Sequence, residues 1–321
     1  MSESLSRRDA LRRVGAAGLA TAGVVGLGAW LHGRPGWPPP ANLASLPSWH
    51  LVDDGPKLAI ARGSSPTRLV EDALEALGGL TRFVRPGDRV LVKPNAAFDR
   101  PAWQGTTANP EVVGTVVRLC VKAGAAEVIV TDNPIHAPEG CFRKTGIGQA
   151  VEDAGGRVLL PRPQAFRAVA LPGTVLDRWP VYAEPLLNAT KLIGIAPAKD
   201  HNLAKASLTM KNWYGMLGGA RNRLHQKMDE TIASLVDLIR PTLSIVDGTR
   251  VLIRNGPTGG SPDDVVRKDV LAIATDPVAA DAFGATLLDL LPGDLAYLGM
   301  AEARGLGTTD WQGLLSGEGD E

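Results

Sequence analysis

The sequence predicts an α/β protein: a mostly parallel sheet with helices on both faces and a ligand site at the carboxyl ends of the strands. Two observations carry this. Continuous β-branched runs alternate with segments of helical period, the pattern of buried parallel strands joined by crossover helices. Several of these runs also stop abruptly at charged or amide residues. RVLVKPN ends in Lys93 and Asn95, EVIVTDN in Asp132 and Asn133, and KLIGIAPAKDH in Lys199, Asp200 and His201. LSIVDG ends in Asp247 and VLAIATD in Asp276. With 37 Gly, 24 Pro and 5% aromatic residues, the composition suits many short strand–helix connections better than an aromatic-rich sandwich.

Taken in order, Leu58 to Arg62 is a short strand. Thr67 to Leu77 carries Leu69, Val70, Ala73, Leu74 and Leu77 at helical spacing and is stopped by Gly78-Gly79. Arg89 to Lys93 is a strand. Asn109-Pro110-Glu111 is a helix start, with Asn as N-cap, Pro in the first turn and an acid at the positive end of the dipole. That helix runs to about Lys122, and Glu127 to Thr131 is the next strand, completing a βαβ unit. Ile147 to Ala154 is a short helix and Val158 to Leu160 a strand. Residues 161–185 hold five prolines and no clear period, consistent with a small β excursion. Lys191 to Ala196 is a strand. Asp229 to Ile239 is a helix with Asp229 as N-cap. Leu243 to Val246 and Val270 to Ala274 are strands, and Pro277 to Leu290 is a long helix begun at Asp276-Pro277. Neither a Walker A sequence nor a GxGxxG after the first strand is present, which argues against a dinucleotide site.

Lys plus Arg and Asp plus Glu each number 34. Five Arg fall in residues 1–34 against Glu3 and Asp9, so the remainder holds 29 basic and 32 acidic residues. That balance argues against nucleic-acid binding through a broad basic surface. The N-terminus reads Arg7-Arg8-Asp9-Ala10-Leu11, then Arg12-Arg13, then the uncharged run Val14 to Leu31. Paired arginines before a mildly apolar run are the twin-arginine signal pattern. A run of 18 residues is also the lower limit for a membrane span, so a signal and an anchor are compatible readings. Ala41-Asn42-Leu43-Ala44 is a poor cleavage site, and cleavage stays open. The expected organisation is residues 1–34 as signal or anchor, 35–50 as Pro-rich linker and 51–321 as a single α/β domain. The expected location is the periplasm or the outer face of the cytoplasmic membrane. Contact with the membrane would run only through the N-terminal segment, if it is uncleaved.

The densest polar segment runs from Lys199 to Lys227. It holds Lys199, Lys205, Lys211, Arg221, Arg223 and Lys227 against Asp200, together with His201 and His225. Such a set fits anion binding, in which Lys neutralises a carboxylate or phosphate and Gly-rich turns supply N–H donors. It also fits acid–base work by Lys or His tuned by neighbouring charge. Metal binding is a third use: Asp132, His136, His201 and His225, with Asp247, have suitable donors, but no tight spacing such as HExxH supports it. Lys211 can instead snorkel over the surface, and single strand-end His or Asp residues can simply cap loops. Two cysteines, Cys120 on a helix face and Cys141 in a loop, cannot build a Cys₄ iron–sulfur or zinc site. Whether they pair is left open.

The ordered motifs Val90-Leu91-Val92-Lys93-Pro94-Asn95, Thr106-Thr107-Ala108-Asn109-Pro110-Glu111-Val112-Val113, Lys199-Asp200-His201, Lys211-Asn212 with Gly215, His225, Asp247-Gly248 and Asp276-Pro277-Val278-Ala279-Ala280-Asp281 resemble the family catalogued as domain of unknown function 362. The resemblance spans roughly residues 55 to 290 and implies a shared site of Lys93, Asn95, Lys199, His201, Lys211, Asn212, His225 and Asp247. It brings no reaction. Some members resemble fusions to iron–sulfur modules, and this chain lacks the cysteines for one.

Two functions follow as expectations. In the first, an exported α/β protein binds a small anionic ligand and acts on it. Lys93, Lys199 and Lys211 neutralise the anion, Asn95 and Asn212 orient it with Asp247 nearby, and His201 or His225 moves a proton with Lys211. In the second, it is a non-catalytic metal- or ligand-binding module of the cell envelope.

Overall fold

A computed structural model describes residues 43–319. The twin-arginine segment and the linker up to residue 42 lie outside them. The strands are β1 (Leu58–Arg62), β2 (Arg89–Pro94), β3 (Glu127–Val130), β4 (Arg157–Val158), β5 (Phe166–Ala168), β6 (Pro180–Tyr182), β7 (Lys191–His201), β8 (Lys205–Ser207), β9 (Leu243–Leu252), β10 (Val265–Val266), β11 (Val270–Ala274) and β12 (Leu315–Gly319). The helices used below are α1 (Pro66–Ala76), α2 (Pro110–Lys122), α3 (Pro138–Lys144), α4 (Ile147–Asp153), α5 (Ala183–Asn188), α6 (Thr209–Asn212), α7 (Met228–Leu238), α8 (Pro277–Thr286) and α9 (Ala296–Ala303).

The main sheet has the order β12-β1-β11-β9-β7-β2-β3-β4, with β8 and β10 added as short antiparallel partners of β7 and β9. Alternation within each strand sends side chains to two cores, because successive strand residues face opposite sides. Val90 and Val92 join Val112, Val116 and Cys120 on one face; Leu91 joins Leu192, Leu235 and Phe283 on the other. Helices α1, α2 and α4 therefore cover one face and α7, α8 and α9 the other, as the sequence predicts.

Along the eight-strand order the sheet is parallel except at one inner strand. β11 runs antiparallel to both β1 and β9. The end of β11 thus lies beside Ser244 at the start of β9. Asp276 is carried to the opposite edge from the other strand-end residues and does not join them. There it caps α8, accepting from the amides of Val278 and Ala279 at 2.8 and 2.9 Å and from Thr308 at 3.0 Å.

Local chemistry sets the main boundaries. Ser65 and Asn109 cap α1 and α2 with Pro at the first turn. Asp229 proves to lie inside the first turn of α7 and not at its N-cap, where its charge favours the dipole. β7 and β9 run several residues past their expected ends. Pro197 has no N–H to donate, and the β7–β9 ladder shifts register between Pro197 and Lys199. The distal half of β7 then pairs with β8, Lys199 opposite Ser207 and His201 opposite Lys205. Residues 161–185 do contain a two-stranded excursion, β5–β6. Cys141 lies on α3 and not in a loop, and both cysteines are buried free thiols. Burial pushes them up to about 12 (Cys120) and about 11 (Cys141). No helix among the described residues is long and apolar enough to cross a membrane.

Candidate functional site

The carboxyl ends of β2, β3 and β7 open onto a cavity of about 270 Å³. Segment 209–215 walls its other side. That segment is pressed onto the sheet because Gly194 on β7 leaves room for the Trp213 ring, which a Cβ there would meet at 2.8 Å. Its start is held by Asp281 of α8, whose carboxylate accepts from the Thr209 amide and hydroxyl at 2.8 and 2.5 Å and from the Met210 amide at 3.1 Å. Sequence reading placed Asp281 in a motif without a role; its role is to seat the helix that carries Lys211 and Asn212.

Lys93, Lys199 and Lys211 all line the cavity, together with Arg221, His201 and His225, against Asp132. The lysines differ sharply in what holds them. Lys93 Nζ meets three acceptors: Asp132 Oδ1 at 2.7 Å, Asn212 Oδ1 at 2.8 Å and Pro94 O at 3.0 Å. An ammonium has three N–H groups, so Lys93 is saturated. Burial pushes its pKa down, and the adjacent Asp132 carboxylate works against that. Lys199 Nζ donates to Asn95 Oδ1 at 3.1 Å and Thr106 O at 2.7 Å, leaving one N–H, and lies 5.3 Å from the centre of the Phe98 ring. Burial, then the charge of Lys211, brings it down to about 7. Lys211 Nζ sits 5.3 Å over the Tyr214 ring and meets no hydrogen-bond acceptor or carboxylate among the described residues. Burial and the Arg221 charge bring it down to about 8.

The amides act as struts. Asn212 uses all four of its bonds, accepting from Lys93 and Asn95 and donating to the Lys93 and Ile195 carbonyls at 3.2 and 3.1 Å. It orients neighbours and has nothing left for a ligand. Asn95 retains one N–H. Arg221 ties the wall together by donating to the carbonyls of Asn133 and Pro134, each at 2.8 Å, and of Tyr214 at 3.2 Å.

The histidines are distinguished by their bonds. His201 Nδ1 accepts from the Leu203 and Ala204 amides at 3.1 and 3.2 Å, so its proton is on Nε2. Burial and the charges of Lys211 and Lys199 push it down to about 3, which makes it a neutral donor and not a base near neutrality. His225 Nδ1 lies 2.9 Å from the Asn222 carbonyl, which can only accept, so the neutral ring carries a lone pair on Nε2. The ring stacks on Tyr214, centroids 5.9 Å apart.

Two expected site residues do not face the cavity. Asp247 accepts from the Asn109 amide at 2.8 Å and from the Thr249 amide and hydroxyl at 3.0 and 2.6 Å. It anchors the start of α2, and so the loop whose Thr106 carbonyl holds Lys199. His136 Nδ1 accepts from the Asp99 amide at 3.1 Å and packs edge-on to Phe98. Asp132 is taken up by Lys93 and by the amides of Asn133 and Ala96, at 2.9 and 2.8 Å. Among the described residues no three His, Cys, Asp or Glu side chains assemble to hold a metal ion, so the candidates Asp132, His136, His201 and His225 do not form a common site.

Gly215 is a steric test of this layout. A Cβ there would overlap Asp132 Oδ1 and come within 2.7 Å of Lys93 Nζ. Gly215→Ala is expected to destabilise by about 2–4 kcal/mol, as overpacking against a buried ion pair. Urea unfolding that matches wild type would show that the pair is not where the structure has it.

Fold and cavity together define an α/β protein with a lysine-rich cleft at the carboxyl edge of its sheet. The chain belongs to the family of domain of unknown function 362, which matches residues 90–286. A thylakoid-associated protein of Synechocystis sp. is 30% identical over 245 residues, covering 74% of each chain. Among solved structures, a protein from Thermotoga maritima is similar at 12% identity, 75% coverage of this chain and a TM-score of 0.36. The lactate racemase apoprotein from Thermoanaerobacterium thermosaccharolyticum is similar at 13%, 74% and 0.40. This chain spans 60% of the length of each of those two chains.

Proposed function

We propose that the protein binds a small carboxylate or phosphate in this cleft and acts on it as an enzyme outside the cytoplasm. One observation carries the reading: on Lys199, Lys211, Asn95 and His201, the hydrogen-bonding capacity left unmet is all donor. Three N–H groups of Lys211, one of Lys199, one of Asn95 and the Nε2–H of His201 have no protein acceptor among the described residues. Burying cations without counter-charge costs several kcal/mol per ion, and a bound anion offsets that cost. His225 Nε2, the open lone pair among the histidines here, is the proton acceptor, with His201 as a fixed donor.

Thermal unfolding in phosphate, pyruvate and other small anions tests the reading. At about 100 times its Kd a ligand adds about 2.7 kcal/mol. No rise with any carboxylate or phosphate would remove the anion site.

The pH dependence has two opposite signs. The unfolded lysines keep their protons to about 10.5, whereas folded Lys199 and Lys211 release theirs near 7 and 8. Between those values the unfolded state binds more protons, so ligand-free stability gains from these groups as pH rises from 7 to 10, by at most about 1.4 kcal/mol per pH unit for each. Anion affinity should fall over the same range, because binding needs the charged forms. Calorimetry at pH 6.5 and 9 checks this, and equal affinities would contradict it.

Export rests on Arg7 and Arg8. The thylakoid association of the Synechocystis relative supports a place at a membrane surface. Arg7→Lys with Arg8→Lys keeps the charge but removes the planar guanidinium pair, and is expected to hold the protein in the cytoplasm. Undiminished appearance outside it on cell fractionation would show that the signal is of another kind.

A further inference from the structure

Building on the anion-binding reading, we propose that Lys211 is an amine nucleophile that forms an imine with a small carbonyl compound bearing a carboxylate or phosphate.

The three lysines are not equivalent as nucleophiles. A nucleophilic amine needs a lone pair, and acceptors around Nζ hold it as an ammonium. Lys93 has three acceptors, one of them a carboxylate, and Lys199 has two. Lys211 has none among the described residues, and its neighbours are an aromatic face and the cations Arg221 and Lys199. A desolvated lysine beside other cations is the arrangement that activates an amine. Its lowered pKa agrees with that environment.

The rest of the cavity supplies what the reaction needs. The remaining N–H groups of Lys199 and Asn95 hold the anionic group. The Nε2–H of His201 donates to the carbonyl oxygen and polarises it. The Lys211 lone pair attacks the carbonyl carbon while His225 Nε2 takes a proton from the amine. That proton passes to the alkoxide to make the carbinolamine hydroxyl, and a second, which the part-exposed His225 takes up from solvent, lets the hydroxyl leave as water as the C=N bond forms, leaving the imine protonated. One water is released, and no oxidant or reductant is involved. The protonated imine keeps a positive charge beside the anion, so neutralisation survives the step. The volume of about 270 Å³ has room for three- to four-carbon compounds.

The test is borohydride trapping on the whole folded protein. Pyruvate, dihydroxyacetone phosphate, acetone and lactate are each incubated with it, with and without borohydride, and thermal unfolding is measured in parallel. The expected result is an added mass equal to the probe less one oxygen on the peptide containing Lys211. It should appear with pyruvate or dihydroxyacetone phosphate and be at least tenfold lower with acetone, which lacks the anion. Trapping by pyruvate alone assigns a carboxylate, and by the phosphate alone a phosphate. Lys211→Arg should lose the adduct. Thermal stabilisation by pyruvate and lactate without any adduct would overturn the imine and leave the anion site standing. Neither stabilisation nor adduct would overturn both. An adduct mapped to Lys199 or Lys93 in the wild-type protein would overturn the choice of Lys211 without relying on any variant.

Discussion

Lys93→Met is expected to destabilise the protein by about 3–5 kcal/mol, since removing one partner of a buried ion pair leaves the other charge uncompensated. Asp132 would keep a carboxylate in a site where its side chain is 2% exposed, and Asn212 Oδ1 would lose its donor at 2.8 Å. At a few degrees per kcal/mol the melting temperature should fall by roughly ten degrees. Adding Asp132→Asn should recover part of the loss, because the amide removes the stranded charge and can still accept from the Ala96 or Asn133 amide. Urea unfolding of the two singles and the double gives the coupling energy directly. A coupling below about 0.5 kcal/mol, the size expected of independent sites, would mean the pair is not the keystone of this wall.

Lys211→Ala should behave in the opposite way. Its ammonium has no protein acceptor among the described residues, so its removal leaves nothing unpaired and stability should be unchanged or higher. Anion affinity, by contrast, should fall by about 2–4 kcal/mol, roughly 30- to 1000-fold in Kd. Calorimetric titration with whichever anion stabilises the wild type measures it. A Kd within threefold of wild type, with folding intact, would place the ligand elsewhere. The contrast between the two lysines discriminates well: one holds the site together and the other faces what enters it.

Sequence reading grouped Lys93, Lys199 and Lys211 as equal anion binders, because residue type and strand-end position are all that sequence displays. Saturation of Lys93 depends on Asp132 and Asn212, the latter 119 residues away in the chain. The two histidines looked interchangeable for the same reason. Their tautomers follow from which backbone groups their Nδ1 atoms meet, amides for His201 and a carbonyl for His225. In sequence Asp276 belongs with the strand-end set because the pattern VLAIATD is the same whichever way the strand runs; only pairing with β1 and β9 reveals that β11 is reversed. Arg221 was visible in the basic segment, but nothing local shows that its guanidinium clasps the carbonyls of Asn133 and Pro134. Cys141 looks like a loop residue in sequence because its helix is only seven residues long, too short to display a period.

What the sequence by itself determined is the alternation of strands and helices, the cap at Asn109, the helix start at Asp276-Pro277, and the gathering of polar residues at the ends of β2, β3 and β7. Those are properties of local period and of parallel topology, which places successive strand ends on one edge. Tertiary structure alone decided the direction of β11, the escape of Asp247 and His136 from the cavity, and the grading of three lysines from saturated to open. The physical reason is that a buried charge takes its character from the acceptors around it, and here those come from strands and loops distant in sequence.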